Sequence, residues 1–79
     1  MIEAFVLVVV KPGTEEKVYR ELKKREDIKE IYRVYGEYDL LLRVEVPDIH
    51  LLDQFHDEVL RRIGNIEMTE TLIASSYRG

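Results

Sequence analysis

Apolar side chains recur along this chain with two different periods, and the points where the period changes divide it into six elements. Residues 2–10 read IEAFVLVVV, so that Ala4, Val6, Val8 and Val10 fall on one side of an extended chain and Phe5, Leu7 and Val9 on the other. The β-branched content and short length predict a strand. Lys11-Pro12-Gly13 breaks it. Thr14 then reads as a helix N-cap, with Glu15 and Glu16 in the first turn, where the helix dipole favours negative charge. Val18, Leu22 and Tyr19 form a narrow apolar stripe, and Lys23, Lys24 and Arg25 put cations at the far end. Residues 28–35 and 38–46 are β-rich runs separated by Gly36-Glu37, which predicts a hairpin. In the second run Leu40, Leu42, Val44 and Val46 share a face, and Asp39, Leu41, Arg43 and Glu45 share the other. Pro47-Asp48 starts a second helix whose stripe of Ile49, Leu52, Phe55, Val59 and Ile63 steps by three and four. Gly64-Asn65 stops it, with Arg61 and Arg62 in the last turn. Residues 66–77, IEMTETLIASSY, are threonine-rich and alternating, which predicts a long final strand.

Strand, helix, strand, strand, helix, strand is an α+β order. Short right-handed crossovers turn it into a ferredoxin-like βαββαβ sandwich, with two helices on one face of a four-stranded antiparallel sheet. Residues 1–79 have room for one such unit. The other face of the sheet should then be polar, yet the first strand is apolar on both sides, and Leu41 and Ile73 are expected to add to the uncovered side. At about 25 cal/mol per Å² of apolar surface, covering such a patch is worth several kcal/mol, comparable to the whole stability of so small a unit. A second copy docking sheet to sheet, as a dimeric α/β barrel-like assembly, is the expected solution; the alternative is one exposed apolar patch on a monomer.

Composition narrows the function. With no cysteine, disulfides and thiolate metal sites are excluded. A net charge of -4 disfavours contact with phosphate backbones, so no direct nucleic-acid partner is expected. No apolar run approaches the roughly 18 residues needed to cross a membrane, and Glu3 stands where a signal peptide carries positive charge, so a cytoplasmic protein is expected. Abundant Glu, Lys and Arg, with Gln54 and Asn65 the only amides, fit a thermophilic source.

Candidate chemistry is sparse. Ser75 and Ser76 lie in the final strand with no histidine close by in sequence. Asp53, His56 and Asp57 share a helix face, but a solvated charged face is the expected reading, with no metal and no cofactor. The tyrosines lack the basic, glycine-rich setting of an RNA-binding sheet. Gly36-Glu37-Tyr38-Asp39 at the hairpin is different. A carboxylate beside a glycine-opened backbone suits a zwitterion, although the same residues also suit an ordinary turn.

These residues carry a resemblance. VYGEYDLLLRVEVPD over 34–48, with Val9-Val10-Lys11-Pro12-Gly13 and the closing Met68-Thr69-Glu70-Thr71, resembles the ligand-sensing (RAM) domain of the leucine-responsive and asparagine-responsive regulators, the Lrp/AsnC family, over essentially the whole chain. The resemblance implies the ferredoxin-like fold, pairing through the sheets, rings commonly of four dimers (octamer-like), and an effector amino acid bound between neighbouring dimers. It assigns that site to Gly36, Tyr38 and Asp39, with Met68, Thr69 and Thr71: Asp39 for the ammonium group, backbone near Gly36 and the threonine hydroxyls for polar contacts, Tyr38 and Met68 as walls. Family regulators carry a helix-turn-helix domain ahead of this unit, whereas this chain opens at the first sensing strand. It is read as a stand-alone sensor, or as a modulator that co-assembles with full-length Lrp/AsnC-type regulators; a truncated piece is the alternative. A small ferredoxin-like enzyme, monooxygenase-like or acylphosphatase-like, and a purely structural assembly partner are the competing classes. Against the enzyme, Lys11-Pro12-Gly13 offers no phosphate cradle and no aromatic or histidine-lined pocket is evident.

Overall fold

Alternating burial identifies the central strand. In a computed structural model, which describes residues 1–74, β1 (Ile2–Val10) buries Ala4, Val6, Val8 and Val10 and leaves Phe5, Leu7 and Val9 half-buried. The remaining elements follow as α1 (Glu15–Lys23), β2 (Ile28–Arg33), β3 (Leu40–Val46), α2 (Ile49–Phe55), which runs on as a π-helical turn (His56–Leu60), and β4 (Ile66–Ile73). The sheet order is β2-β3-β1-β4, all neighbours antiparallel, with the two helices on one face. This is the expected ferredoxin-like arrangement.

The covered face forms the core. Ala4, Val6, Val8, Val10, Leu40, Leu42, Val44 and Val46 of the sheet meet Val18 and Leu22 of α1 and Leu52, Phe55, Val59 and Leu60 of the second helical segment, and no polar or charged residue is buried among the described residues. Asp48 caps α2 as its sequence position suggests, its Oδ1 accepting from Leu51 N at 2.9 Å. Thr14 takes the N-cap position of α1, its carbonyl accepting from Val18 N at 3.0 Å, but its side chain makes no capping bond. Its hydroxyl donates backward to Lys11 O at 2.7 Å, fixing the Lys11-Pro12-Gly13 turn instead.

Three sequence expectations shift. The α-helical pitch of the second helix ends at Phe55 and widens over 56–60, which lets adjacent Val59 and Leu60 both reach the core, while Ile49 stays half exposed. The connection between β2 and β3 is longer than Gly36-Glu37, since pairing stops at Arg33 and resumes at Leu40. Ile73 pairs with Ala4 and so faces the helix side; its neighbour Leu72, opposite Phe5, occupies the uncovered side in its place. The expected strand beyond residue 74, with Ser75 and Ser76, lies outside the described residues.

The uncovered face has an apolar centre. Tyr32, Leu41 and Leu7 stand in one cross-strand row, Phe5 pairs with Leu72, and Val9 with Met68. Tyr32, Met68 and Leu72 are each about half exposed. At one end lies a charged knot: Arg43 donates from Nε to Glu30 at 2.6 Å and from Nη1 to Glu45 at 2.6 Å and Glu3 at 3.1 Å. The guanidinium holds the Glu30 carboxyl below its ordinary range, while Glu30 in turn raises the Tyr32 phenol.

Candidate functional site

Glycine at position 36 is a conformational requirement. Its φ of +117° is strained for any side-chain-bearing residue, although nothing crowds the position where a Cβ would stand. This backbone lets the chain turn between β2 and β3, and Val34 N donates to Asp39 O at 3.0 Å to close the connection. Asp39 N then donates to Val8 O at 2.8 Å, and the Asp39 Oδ2 accepts from Val10 N at 2.8 Å. Val10 lies beyond the last β1–β3 pair, Val8 with Leu40. The carboxylate therefore extends the ladder past the start of β3, giving a backbone N–H the acceptor it needs.

Tyr38 reaches further. Its hydroxyl donates to Glu70 Oε1 at 2.5 Å, and because β1 lies between β3 and β4, this bond ties the hairpin to β4 across the central strand. The carboxylate acceptor favours the protonated phenol and raises its pKa above the ordinary tyrosine value.

Strand alternation divides the β4 residues. Met68 and Glu70, opposite Val9 and Leu7, are on the uncovered face, whereas Thr69 and Thr71, opposite Val8 and Val6, turn toward the helices. There Thr71 Oγ1 lies 2.6 Å from His56 Nε2, and the His56 ring packs edge-on against Phe55. Within one protomer, then, Asp39 is bonded at the end of β1, Tyr38 joins the strand of Met68, and Gly36 turns the connection that leads to both, but Thr69 and Thr71 project to the opposite side of the sheet from Met68. Met68 and Thr69 come together again at the sheet edge, where they line a groove of about 310 Å³ with His56, Leu60, Arg61, Ile66 and Glu67. His56 thus turns toward β4 and away from the helix face it shares with Asp53 and Asp57. Among the described residues no cluster of three His, Cys, Asp or Glu side chains suits a metal.

Two residues here escaped sequence reasoning. Glu70 sits inside the quoted Met68-Thr69-Glu70-Thr71 segment, and alternation alone sets it on the Met68 face; what it meets there depends on a partner 32 positions away. The role of His56 had no local signal, because its partner is 15 residues distant on another element.

With this geometry in place, similarity to known proteins becomes informative. The family model described as the Lrp/AsnC ligand binding domain matches residues 3–77. The chain belongs to the Lrp/AsnC ligand-binding domain family. It is 36% identical over 70 residues to the HTH-type transcriptional regulator FL11 of Pyrococcus abyssi, a match covering 89% of this chain and 46% of the regulator. It spans about half the length of the regulators it matches. Among solved structures, FFRP-DM1 superimposes with a TM-score of 0.92 at 44% identity, covering 95% of this chain and all of that one. The Neisseria meningitidis transcriptional regulator NMB0573, solved as a complex with L-Met, shares the fold at 16% identity and a TM-score of 0.86, covering 95% of this chain and 50% of that one. The Lrp/AsnC relatives are thus named transcriptional regulators. No helix among the described residues of this family member is long and apolar enough to cross a membrane.

Proposed function

We propose that residues 1–79 form one non-catalytic effector-binding and oligomerisation module, taking an amino acid as ligand and acting in the cytoplasm as a sensor or as a modulator of full-length Lrp/AsnC-type regulators. The observation that carries this reading is that the connection opened by Gly36 bonds through Asp39 to the end of β1 and through Tyr38 to Glu70 of β4, in a chain of a ligand-binding family. Asp39 Oδ1 and the Glu70 carboxylate offer acceptors for an ammonium group, and Tyr38 and Met68 offer walls. The L-Met bound by the distant fold relative NMB0573 is consistent with a ligand of this class. Because Thr69 and Thr71 face away from Tyr38 within one protomer, a complete pocket needs surfaces from more than one copy.

The uncovered face supplies a means of assembly. An apolar centre with polar ends has the anatomy of a protein–protein interface. A two-fold axis sets that centre against itself, giving a homodimer from which larger rings, octamer-like in the family, can be built. A second reading, an assembly partner that binds no effector, is favoured by one observation: the Asp39 carboxylate already serves Val10 N.

Calorimetric titration with the full panel of amino acids separates the two. At least one should bind the wild-type oligomer, and Asp39→Asn, which keeps an acceptor for Val10 while removing the charge, should weaken that binding about tenfold or more. Silence across the panel from an intact oligomer would leave only the assembly reading.

A further inference from the structure

The uncovered face carries more negative charge than it neutralises. Among the described residues in paired register it presents Glu3 on β1, Glu30 on β2, Glu45 on β3 and Glu70 on β4 against one guanidinium, Arg43, while Lys29 is unpaired and exposed in the β2 bulge between Ile28 and Glu30. Glu3 and Glu45 stand directly opposite each other, an unfavourable like-charge pair that Arg43 Nη1 bridges at 3.1 and 2.6 Å. Arg43 Nε is given to Glu30. Glu70 stands apart, bonded by the Tyr38 hydroxyl, which brings no charge. Tyr32, which also pairs on this face, is a phenol raised further by Glu30 and likewise neutral near pH 7. The histidines are elsewhere, His56 turned to Thr71 beneath the sheet and His50 exposed on α2. In a free protomer water screens the excess, since all of these side chains are partly exposed.

We propose that docking of this face onto a second copy is limited by like charge, and is therefore linked to proton uptake and to salt: copies associate more tightly as pH falls and as ionic strength rises. This rests on the sheet-to-sheet pairing proposed above. Two identical faces bring two identical acidic excesses together while stripping water from both. Desolvation and like charge each disfavour the ionised carboxylate, so carboxyl pKa values are higher in the pair than in the free protomer. The pair consequently binds more protons. Its stability is greatest below the raised values and declines as pH climbs through them. Salt acts in the same sense by screening the repulsion, opposite to an interface joined by complementary charges, which salt weakens.

The test is a sedimentation dilution series at about pH 7 and about pH 4.5, the lower value lying in the ordinary carboxylate range, each at low and high salt. A dissociation constant that falls about tenfold toward the lower pH, as carboxyls raised by about one pKa unit in the pair take up protons, and falls again with salt is the expected result. The double variant Glu30→Gln with Glu45→Gln should pair at about pH 7 more nearly as the wild type does at about pH 4.5, with most of the pH response lost; circular dichroism checks its fold. A response that persists in the folded double variant should vanish when Glu3→Gln and Glu70→Gln are added, since these are the remaining carboxylates of the face; persistence in that folded variant assigns the linkage to the histidines and overturns the proposal. Should the variant not fold, the wild-type salt series decides alone, because a dissociation constant that rises with salt is the wrong sign. A pair indifferent to both pH and salt overturns the linkage and leaves the pairing standing, whereas a monomer under every condition overturns both.

Discussion

Asp39 has a duty in the fold besides the one proposed for it in the site. Its position in the hairpin motif invites a ligand role, but its Oδ2 is bound to Val10 N at 2.8 Å and extends the ladder of the central strand. Asp39→Ala should therefore cost about 1–2 kcal/mol of unfolding free energy in the absence of any ligand, as an N–H loses its acceptor. Chemical denaturation measures this, and Asp39→Asn should restore most of the loss. A destabilised alanine variant with a stable asparagine variant would show that a motif residue can be retained for its backbone duty as well as for recognition. Tyr38 illustrates the same limit of sequence reading. The motif located it, but its tie to Glu70 across β1 depends on sheet order, which no local pattern encodes.

At the level of elements, legibility followed the strength of the local period. β1 was evident from its alternation, and α2 from its stripe and Asp48 cap, because each has a local physical cause. What failed required knowledge of neighbours. Both faces of β1 are apolar, so which one met the helices was undetermined. Packing against the helices buries the Ala4 side, and the register with β4 then places Ile73 with Ala4 and Leu72 with Phe5, one residue from the expected assignment. The widened turn over 56–60 was equally hidden, since Val59 and Ile63 continue the spacing of an ordinary helix. Gly36-Glu37 marks the hairpin connection in the sequence, but not its length, because Val34 to Asp39 all lie outside the paired strands. Its conformation depends on Gly36 at φ +117°, so Gly36→Ala should destabilise the fold by roughly 1–2 kcal/mol through backbone strain alone, with no steric clash. A thermal melt of that variant, compared with Gly64→Ala at an uncrowded position whose φ imposes no such strain, provides the control.

For the whole molecule, the sheet with one covered face is the feature on which the proposed assembly turns. Leu7 is at the middle of the uncovered row, flanked by Leu41 and Glu70, and contributes little to the core beneath. Leu7→Asp should leave the circular dichroism spectrum of the protomer intact and abolish the dimer in light scattering; a dimer that survives would mean the pairing surface is elsewhere. The sheet order has another consequence. β1 occupies the interior, yet both strands that flank it come much later in the chain, β3 beginning at Leu40 and β4 at Ile66. During synthesis the apolar run of β1 must wait, unzipped, until more than half of the polypeptide has emerged. For that interval it is a sticky segment awaiting its lateral neighbours, and this is when a nascent chain is most in need of a chaperone's shelter.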